Sequence, residues 1–449
     1  MLIRADALLP APLEPYLPPS GKAAARLLRL FRGQAARKGR PGERLAGALE
    51  RLGPAAIKLG QLLSTRADIF GEEFAEDLAR LKDQLEPFPL DQAKAEVARA
   101  LGRPLESLFS EFGPSIAAAS LAQAHPARLL DGRKVAVKVL RPGVEQRIRS
   151  DIAAMTLAAR IAQGLGARAR RLEPIALAAT VARSLELELD LRLEAAGASE
   201  LGEVMARDPY MLAPEVIWDG VAKRVLTLAW AQGEPLSSPA ALQQPGLDRP
   251  ALAVQLTRAF LAQALDHGVF HADLHEGNLF AAPPDRLTAV DYGIMGRLGP
   301  AERRYLAEIL WGFLERDYLR VSRVHFQDGY VPEHHSVEAF AQAIRAVGEP
   351  IFGHGAAEVS MGRVLTQLFE ITALFDMRLR PELVLLQKTM VTVEGVARRI
   401  DPAHDIWAAA DPVVRRWITR ELSPLARLQR LAEDSLNVLE GIAGHAQAP

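Results

Sequence analysis

Residues 271–280 read His-Ala-Asp-Leu-His-Glu-Gly-Asn-Leu-Phe, and the fold turns on them. Asp273 and Asn278 stand five apart in this stretch. The pairing matches the loop of phosphotransferases in which an aspartate meets the acceptor hydroxyl and an asparagine holds Mg²⁺. Mg²⁺ is a hard cation and asks for oxygen ligands. His271, two residues before Asp273, is read as a support for the loop backbone. A metal-centre reading competes, because His267, His271 and His275 recur at i, i+4 spacing. That reading requires an unbroken helix through Gly268, and it leaves Asn278 idle.

Thirteen residues after Asn278, the apolar run Leu287–Val290 delivers Asp291-Tyr292-Gly293. An aspartate at the end of a buried strand, followed by a glycine turn, suits a second Mg²⁺ ligand. The spacing leaves room for a β-hairpin. Upstream, Lys138 interrupts Val135, Val137 and Val139, whose alternation favours a strand. A lysine there sets one cation at a fixed depth, to hold a phosphate or meet a carboxylate. The bland alternative is a stem that snorkels to water. Strand lysine, then His-x-Asp-x₄-Asn, then Asp-Tyr-Gly, in that order, points to an α+β, protein-kinase-like fold.

The flanking sequence fills in that outline. Residues 115–129 and 134–142 read as strands joined by Asp131-Gly132. Residues 144–205 read as Ala-rich helix, broken near Gly164–Gly166 and at Pro174. Residues 213–220 and 223–230 read as another strand pair. Before residue 110 the pattern is helical. One helix opens at Pro54, and another has Asp91 as N-cap and Gly102 as stop. Three regions are expected: an N-terminal arm and helical extension (1–110), a kinase-like N-lobe (111–228) and a helical C-lobe (229–449).

Composition excludes several classes. The chain has 449 residues, 49% hydrophobic and 24% charged, so wholesale disorder is ruled out. It has no cysteine, hence no disulfide scaffold, zinc–thiolate site, iron–sulfur cluster or cysteine nucleophile. A net charge of −1 gives no global case for a nucleic-acid partner. The N-terminus is broken by prolines and acids, unlike a signal peptide. No apolar run approaches the ~18 residues of a membrane span. A cytoplasmic chain is expected. Residues 22–40 read as a basic amphipathic helix, with Leu27, Leu28, Leu30 and Phe31 flanked by Arg26, Arg29 and Arg32. Such a helix lies on an anionic membrane surface, or packs on the protein with a solvated basic face.

Longer motifs resemble the UbiB family of atypical kinase-like proteins (aarF-domain kinases) across residues 44–420. The family's KxGQ motif appears as Lys58-Leu59-Gly60-Gln61, its alanine-rich loop as Ala117-Ala118-Ala119-Ser120, and its ExD motif as Glu188-Leu189-Asp190. Residues 216–230 and 380–402 also match. There are departures. Leu274 and Glu276 stand where the family commonly has proline, Tyr292 where it has phenylalanine, and Ala229 where it often has glutamate. The membrane-spanning C-terminal helices of many bacterial members are missing from this sequence.

The resemblance implies a bilobal kinase-like fold with a helical N-terminal extension that carries KxGQ. It implies that Lys138 contacts the phosphates of ATP or ADP and pairs with a helix glutamate. Glu194 is the candidate and Glu188 the competitor; six residues along one helix is about 240°, so they face different ways. Glu188 and Asp190 are assigned to Lys58, the KxGQ helix folding across the active site. Gln61 belongs to the same regulatory set. Asp273 is the catalytic carboxylate, and Asn278 and Asp291 hold Mg²⁺. Ala117, Ala118, Ala119, Ser120, Leu228 and Trp230 join Lys138 around the nucleotide. Kinase loops use glycine so that backbone N–H groups wrap phosphates at φ > 0, so an alanine loop must cradle phosphate differently.

The function implied is an ATPase or phosphotransferase supporting ubiquinone (coenzyme Q) biosynthesis, peripheral at the inner membrane. Its partners would be the anionic membrane surface, polyprenyl quinone precursors and ubiquinone-biosynthesis enzymes. The alternative is a nucleotide-binding regulator or lipid chaperone with little catalysis. A conventional small-molecule kinase would share His-x-Asp-x₄-Asn but is not expected to carry KxGQ and the alanine loop.

Overall fold

The computed structural model describes residues 39–64, 71–79, 81, 86–164, 173–208, 210–353, 367, 371, 374–377 and 381–422. The Pro-rich arm and the basic segment through Lys38 lie outside the described residues. The chain divides into two compact units, Met1–Ala195 with Val216–Trp230 and Ala196–Glu215 with Ala231–Pro449.

Unit 1 opens with α1 (Pro41–Leu52), α2 (Pro54–Ser64) and α3 (Glu72–Ala79). Gly53, at φ 109°, separates the first two. Proline opens each of these two helices, where its missing N–H costs nothing. Leu45, Ala46, Ala48, Leu49, Phe74, Leu78 and Leu81 bury together as one cluster. Gly60 of KxGQ is buried against it, and a Cβ there would stand 2.7 Å from Leu49 Cδ1 and closer still to Leu81. This glycine lets the KxGQ helix sit close to the leucines.

Helix α4 (Leu90–Leu101) follows. Pro89, without a side-chain bond, is its N-cap. Asp91 therefore sits inside the first turn rather than capping it, where its charge still favours the helix N-terminus. Gly102 stops the helix in the left-handed conformation at φ 66°, as its sequence position predicts.

The sheet of unit 1 comprises β1 (Phe109–Phe112), β2 (Ala117–Ala118), β3 (Ala122–Leu129), β4 (Lys134–Leu140) and β5 (Val225–Ala229). Its order is β1-β3-β4-β5, antiparallel, with β2 on β3. Val135, Val137 and Val139 are fully buried among Val97, Phe109, Leu129 and Val225. The period of two then sets Lys138 on the other face of β4. Between β4 and β5 run α5 (Val144–Gly164), α6 (Pro174–Glu188) and α7 (Leu191–Arg207). The strand expected at 213–220 is not a strand. Val216 makes one bridge to Leu228, then Trp218–Gly220 turns. Thr227 Oγ1 donates to Gly220 O at 2.9 Å and holds that turn.

Unit 2 takes α7 from Ala196 onward. It continues with β6 (Glu234–Pro235), α8 (Arg249–Ala262), β7 (Val269–His271), β8 (Leu279–Ala282), β9 (Arg286–Ala289) and β10 (Met295–Arg297). Among the described residues, five helices follow: α9 (Pro300–Leu314), α10 (Tyr318–Gln327), α11 (Val337–Gly353), α12 (Pro381–Ile400) and α13 (Ile406–Leu422). Helix α8, capped by Asp248 accepting from Ala251 N–H at 3.0 Å, is the buried centre, with Leu252, Leu256 and Phe260 sealed. After a π-helical turn the chain stops at left-handed Gly268, φ 70°. The continuous helix required by the three-histidine metal reading is therefore broken, and His271 stands in a strand. Strands β8 and β9 form the hairpin that the thirteen-residue spacing allows. Among the described residues, no helix is long and apolar enough to cross a membrane.

Two glycine substitutions should act in opposite directions. Gly60→Ala overpacks a leucine contact and should cost about 1–3 kcal/mol in chemical denaturation. Gly47→Ala, on α1 with nothing within 4 Å of the added Cβ, should gain up to about 1 kcal/mol from helix propensity.

Candidate active site

In unit 1, Lys138 projects from β4 to the carboxylate of Glu194 on α7. Its Nζ donates to Oε1 at 2.8 Å and to Oε2 at 2.9 Å. The Glu194 side chain is only 8% exposed and the lysine 27%. A carboxylate this deep requires a cation or donors.

Glu188, the other carboxylate considered for Lys138, pairs with Lys58 of the KxGQ helix. Ser184 Oγ also donates to Glu188 Oε1, at 3.2 Å. Asp190 does not join Lys58. Its carboxylate takes the Arg192 guanidinium at 2.9 and 2.6 Å and the Arg192 N–H at 3.2 Å. The arginine fork and the backbone donor lie two residues away, and they hold the Asp190 pKa below the usual carboxylate range. Gln61 is half-buried on α2, its carbonyl accepting from Ser64 Oγ at 2.6 Å.

The alanine loop is a tight hairpin. Ala117 and Ala118 pair with Ala124 and Gln123, and Ala119 N–H donates to Ala122 O at 2.8 Å. Arg141 Nε donates to Ala119 O at 2.9 Å. None of residues 116–121 has positive φ. Ser120 is buried. The N–H of Ala119 is thus committed within the hairpin, unlike a glycine loop that turns its amides to phosphate. At the end of β5, Leu228 pairs with Ala136, and Trp230 N–H donates to Lys134 O at 3.1 Å. Lys134 Nζ lies 3.5 Å from the Trp230 ring centroid.

In unit 2, the 271–278 loop is built on a neutral histidine. His271 is fully buried, and burial holds its pKa below the ordinary value, against the opposing pull of its Val290 hydrogen bond and of Asp273 and Asp291. Its Nε2–H donates to Val290 O at 3.1 Å, and its Nδ1 accepts the Asp273 N–H at 3.1 Å. Protonating Nδ1 would remove the second bond. Asn278 Nδ2 donates to Asp273 O at 3.0 Å, while Asn278 O accepts from Val290 N–H at 2.8 Å. One histidine and one asparagine therefore tie the loop to the residue preceding Asp291.

Asp291 adopts φ 62°, in the left-handed region, and its Oδ1 accepts from Gly293 N–H at 3.3 Å. Aspartate tolerates this conformation. Tyr292 is buried, and its hydroxyl donates to Ala289 O at 2.6 Å. Gly197 of α7 leaves room there; a Cβ would stand 3.3 Å from Tyr292 O. The site residues fit Mg²⁺. With Nδ2 donating to Asp273 O, Asn278 offers Oδ1 as an oxygen ligand, and Asp291 offers a carboxylate, the hard donors that this ion takes.

Sequence reasoning missed the bracing of this loop from α12. Thr389 Oγ1, which donates to Leu385 O at 2.8 Å, also lies 3.2 Å from Ala272 O, and Arg399 pairs with Glu276. The departures from the family pattern are accommodated here: Leu274 is fully buried and Glu276 has Arg399. Only the unusual Glu276 hinted at such a partner. The alternative histidine cluster is dispersed, since His267 Nε2 meets Asp208 at 2.8 Å.

Comparison with known proteins gives concordant results. The ABC1 atypical kinase-like domain matches residues 80–325, and the UbiB helical domain matches residues 344–405. A protein of Marinobacter nauticus named "Probable protein kinase UbiB" is 40% identical over 395 residues, 87% of this chain and 72% of that protein. One of the same name from Pseudomonas paraeruginosa is 38% identical over 426 residues, 91% and 80% of the two chains. Among solved structures, the Rv3197–erythromycin complex from Mycobacterium tuberculosis shares the fold, with TM-score 0.56 and 23% identity over 88% of this chain and 98% of that one.

The depressed His271 pKa has a measurable consequence. Its imidazole NMR signal should stay in the neutral form as pH falls through 6.5, the ordinary value. Because its folded pKa lies below the unfolded one, its contribution to stability is full above the unfolded value and declines as pH drops below it. Titration of His271 at the ordinary value would contradict the hydrogen-bond assignment.

Proposed function

We propose that this chain, which belongs to the UbiB family of ABC1 atypical kinase-like proteins, is a Mg²⁺-dependent ATPase or phosphotransferase that supports ubiquinone biosynthesis. The observation that carries the reading is Lys138 held by both oxygens of Glu194. A lysine held in this way presents its ammonium at a fixed place to nucleotide phosphates.

Lys138 holds the α- and β-phosphates. Asn278 Oδ1 and the Asp291 carboxylate hold Mg²⁺, which when bound supplies neutralisation of the charge developing on the phosphate oxygens. Asp273 orients the attacking water or acceptor hydroxyl and takes its proton. The attacking oxygen bonds to the γ-phosphorus as the bond to the β-phosphate oxygen breaks, and the electron pair leaves with ADP. The Lys58–Glu188 pair anchors the KxGQ helix, which supports a restricted phosphotransferase over a general protein kinase. The setting is an anionic membrane surface, with polyprenyl quinone precursors as ligands and the ring-modifying enzymes of the pathway as partners. Support for that setting is family membership and the basic run Arg26, Arg29, Arg32, Arg37 and Lys38.

One observation favours a second reading, a nucleotide-binding regulator or lipid chaperone with little turnover. Ala119 N–H is committed to Ala122 O, which takes one amide away from the phosphate cradle.

Nucleotide turnover with Mg²⁺, with and without anionic liposomes and a phenolic quinone-precursor mimic, separates the two. The enzyme reading predicts lipid-stimulated turnover that Asp273→Asn lowers by about 10²–10⁴-fold. Nucleotide binding with turnover no higher than in Asp273→Asn would favour the regulator.

A further inference from the structure

The turn before α11 brings two imidazoles to one carboxylate. His334 Nε2 and His335 Nε2 both face Asp376 Oδ2, at 3.7 and 3.3 Å. Among the described residues this is the one group of three side chains whose ligand atoms lie within 4.8 Å of one another in this way.

The His335 separation is that of a long hydrogen bond and the His334 separation is too long for one, while both suit a shared ion. An N–H···O bond is made at about 2.7–3.2 Å, so 3.7 Å is not one and 3.3 Å is long. Nitrogen and oxygen ligands about 2.0–2.1 Å from a tetrahedral cation lie roughly 3.3 Å apart. The two imidazoles are also positioned by contacts unrelated to any ion. The two imidazoles face one another, with centroids 4.1 Å apart at 38°, and His335 rests on Phe375 at 5.2 Å. His335 N–H donates to Pro332 O at 3.2 Å, and Ser336 Oγ accepts from Ala339 N–H at the start of α11. Asp376 takes φ 51°, a left-handed conformation that aspartate tolerates.

We propose that His334, His335 and Asp376 form a binding site for a divalent transition-metal cation of the zinc type. Two imidazoles and one carboxylate suit zinc, nickel or copper far better than magnesium. The side chains of His334 and Asp376 are 66% and 69% exposed, so an ion reaches them from solvent and water completes the coordination. The N-terminal end of α11 opposes a cation, so the Asp376 charge is what makes the site attractive. Binding ties the turn before α11 to residues 374–377, within the segment that matches the UbiB helical domain.

The test is equilibrium dialysis of Zn²⁺ against the metal-stripped full chain in excess Mg²⁺, paired with Co²⁺ absorption as a reporter of coordination. The expected result is one tight Zn²⁺ per chain and an intense tetrahedral Co²⁺ band. Losing a ligand should cost at least as much as losing a supporting partner, so His334→Ala and Asp376→Asn should each weaken binding by roughly tenfold or more. Asp291→Asn should leave the Zn²⁺ affinity unchanged. Because His334 and Asp376 are exposed, both variants should keep the parent's metal-free melting temperature, so a folding defect would be visible separately. Zn²⁺ binding of parent strength in both His334→Ala and Asp376→Asn, or none at millimolar Zn²⁺, would overturn the proposal.

Discussion

The ion pair between Lys138 and Glu194 is the constraint around which unit 1 is arranged. Removing a carboxylate from water costs several kcal/mol unless a cation meets it at close range. Glu194 is nearly sealed, so β4 and the start of α7 must be held in register with each other. The valines on the opposite face of β4 do this for the strand. The break between α6 and α7 does it for the helix, because it aims Glu188 at Lys58 and frees Glu194 for Lys138. Two carboxylates six residues apart thereby choose two different lysines. The KxGQ helix is fastened by the same stretch of chain that fixes Lys138.

Unit 2 solves a related problem without charge. His271 is buried and neutral, one ring nitrogen donating and the other accepting, so it orients backbone rather than transferring protons. Asn278 adds a crosslink to Asp273 O and leaves an oxygen for a metal. Helix α12 supports the loop through the Arg399–Glu276 pair, with Thr389 Oγ1 in contact with Ala272 O. This helix falls inside the UbiB helical domain match, which gives that region a physical role in holding the 271–278 loop.

Much of this was legible in the sequence, for local reasons. Valine alternation placed Lys138 on a strand, and the Asn278–Asp291 spacing anticipated the β8–β9 hairpin. Lys138 takes Glu194 rather than Glu188, and the two carboxylates stand on two helices, not on the single helix that the sequence suggests. Asp190 was misassigned because an arginine two residues away competes for it locally, and motif membership does not reveal that competition. The strand expected at 213–220 failed because one buried turn, held by Thr227, overrides the apolar pattern. Asp91 missed the cap because Pro89 already sets the helix boundary. The bracing by α12 joins residues more than a hundred apart, which no window of sequence displays.

The central claim is that Lys138 and Glu194 act as one unit on the nucleotide. The most direct measurement is a double-mutant cycle on Mg²⁺-ATP affinity with Lys138→Met, Glu194→Gln and the pair together. The account predicts strong non-additivity, with the double variant little worse than Lys138→Met and a coupling on the order of 1–3 kcal/mol. Losses that simply add would contradict it, because Glu194 would then have no part in presenting Lys138 to phosphate.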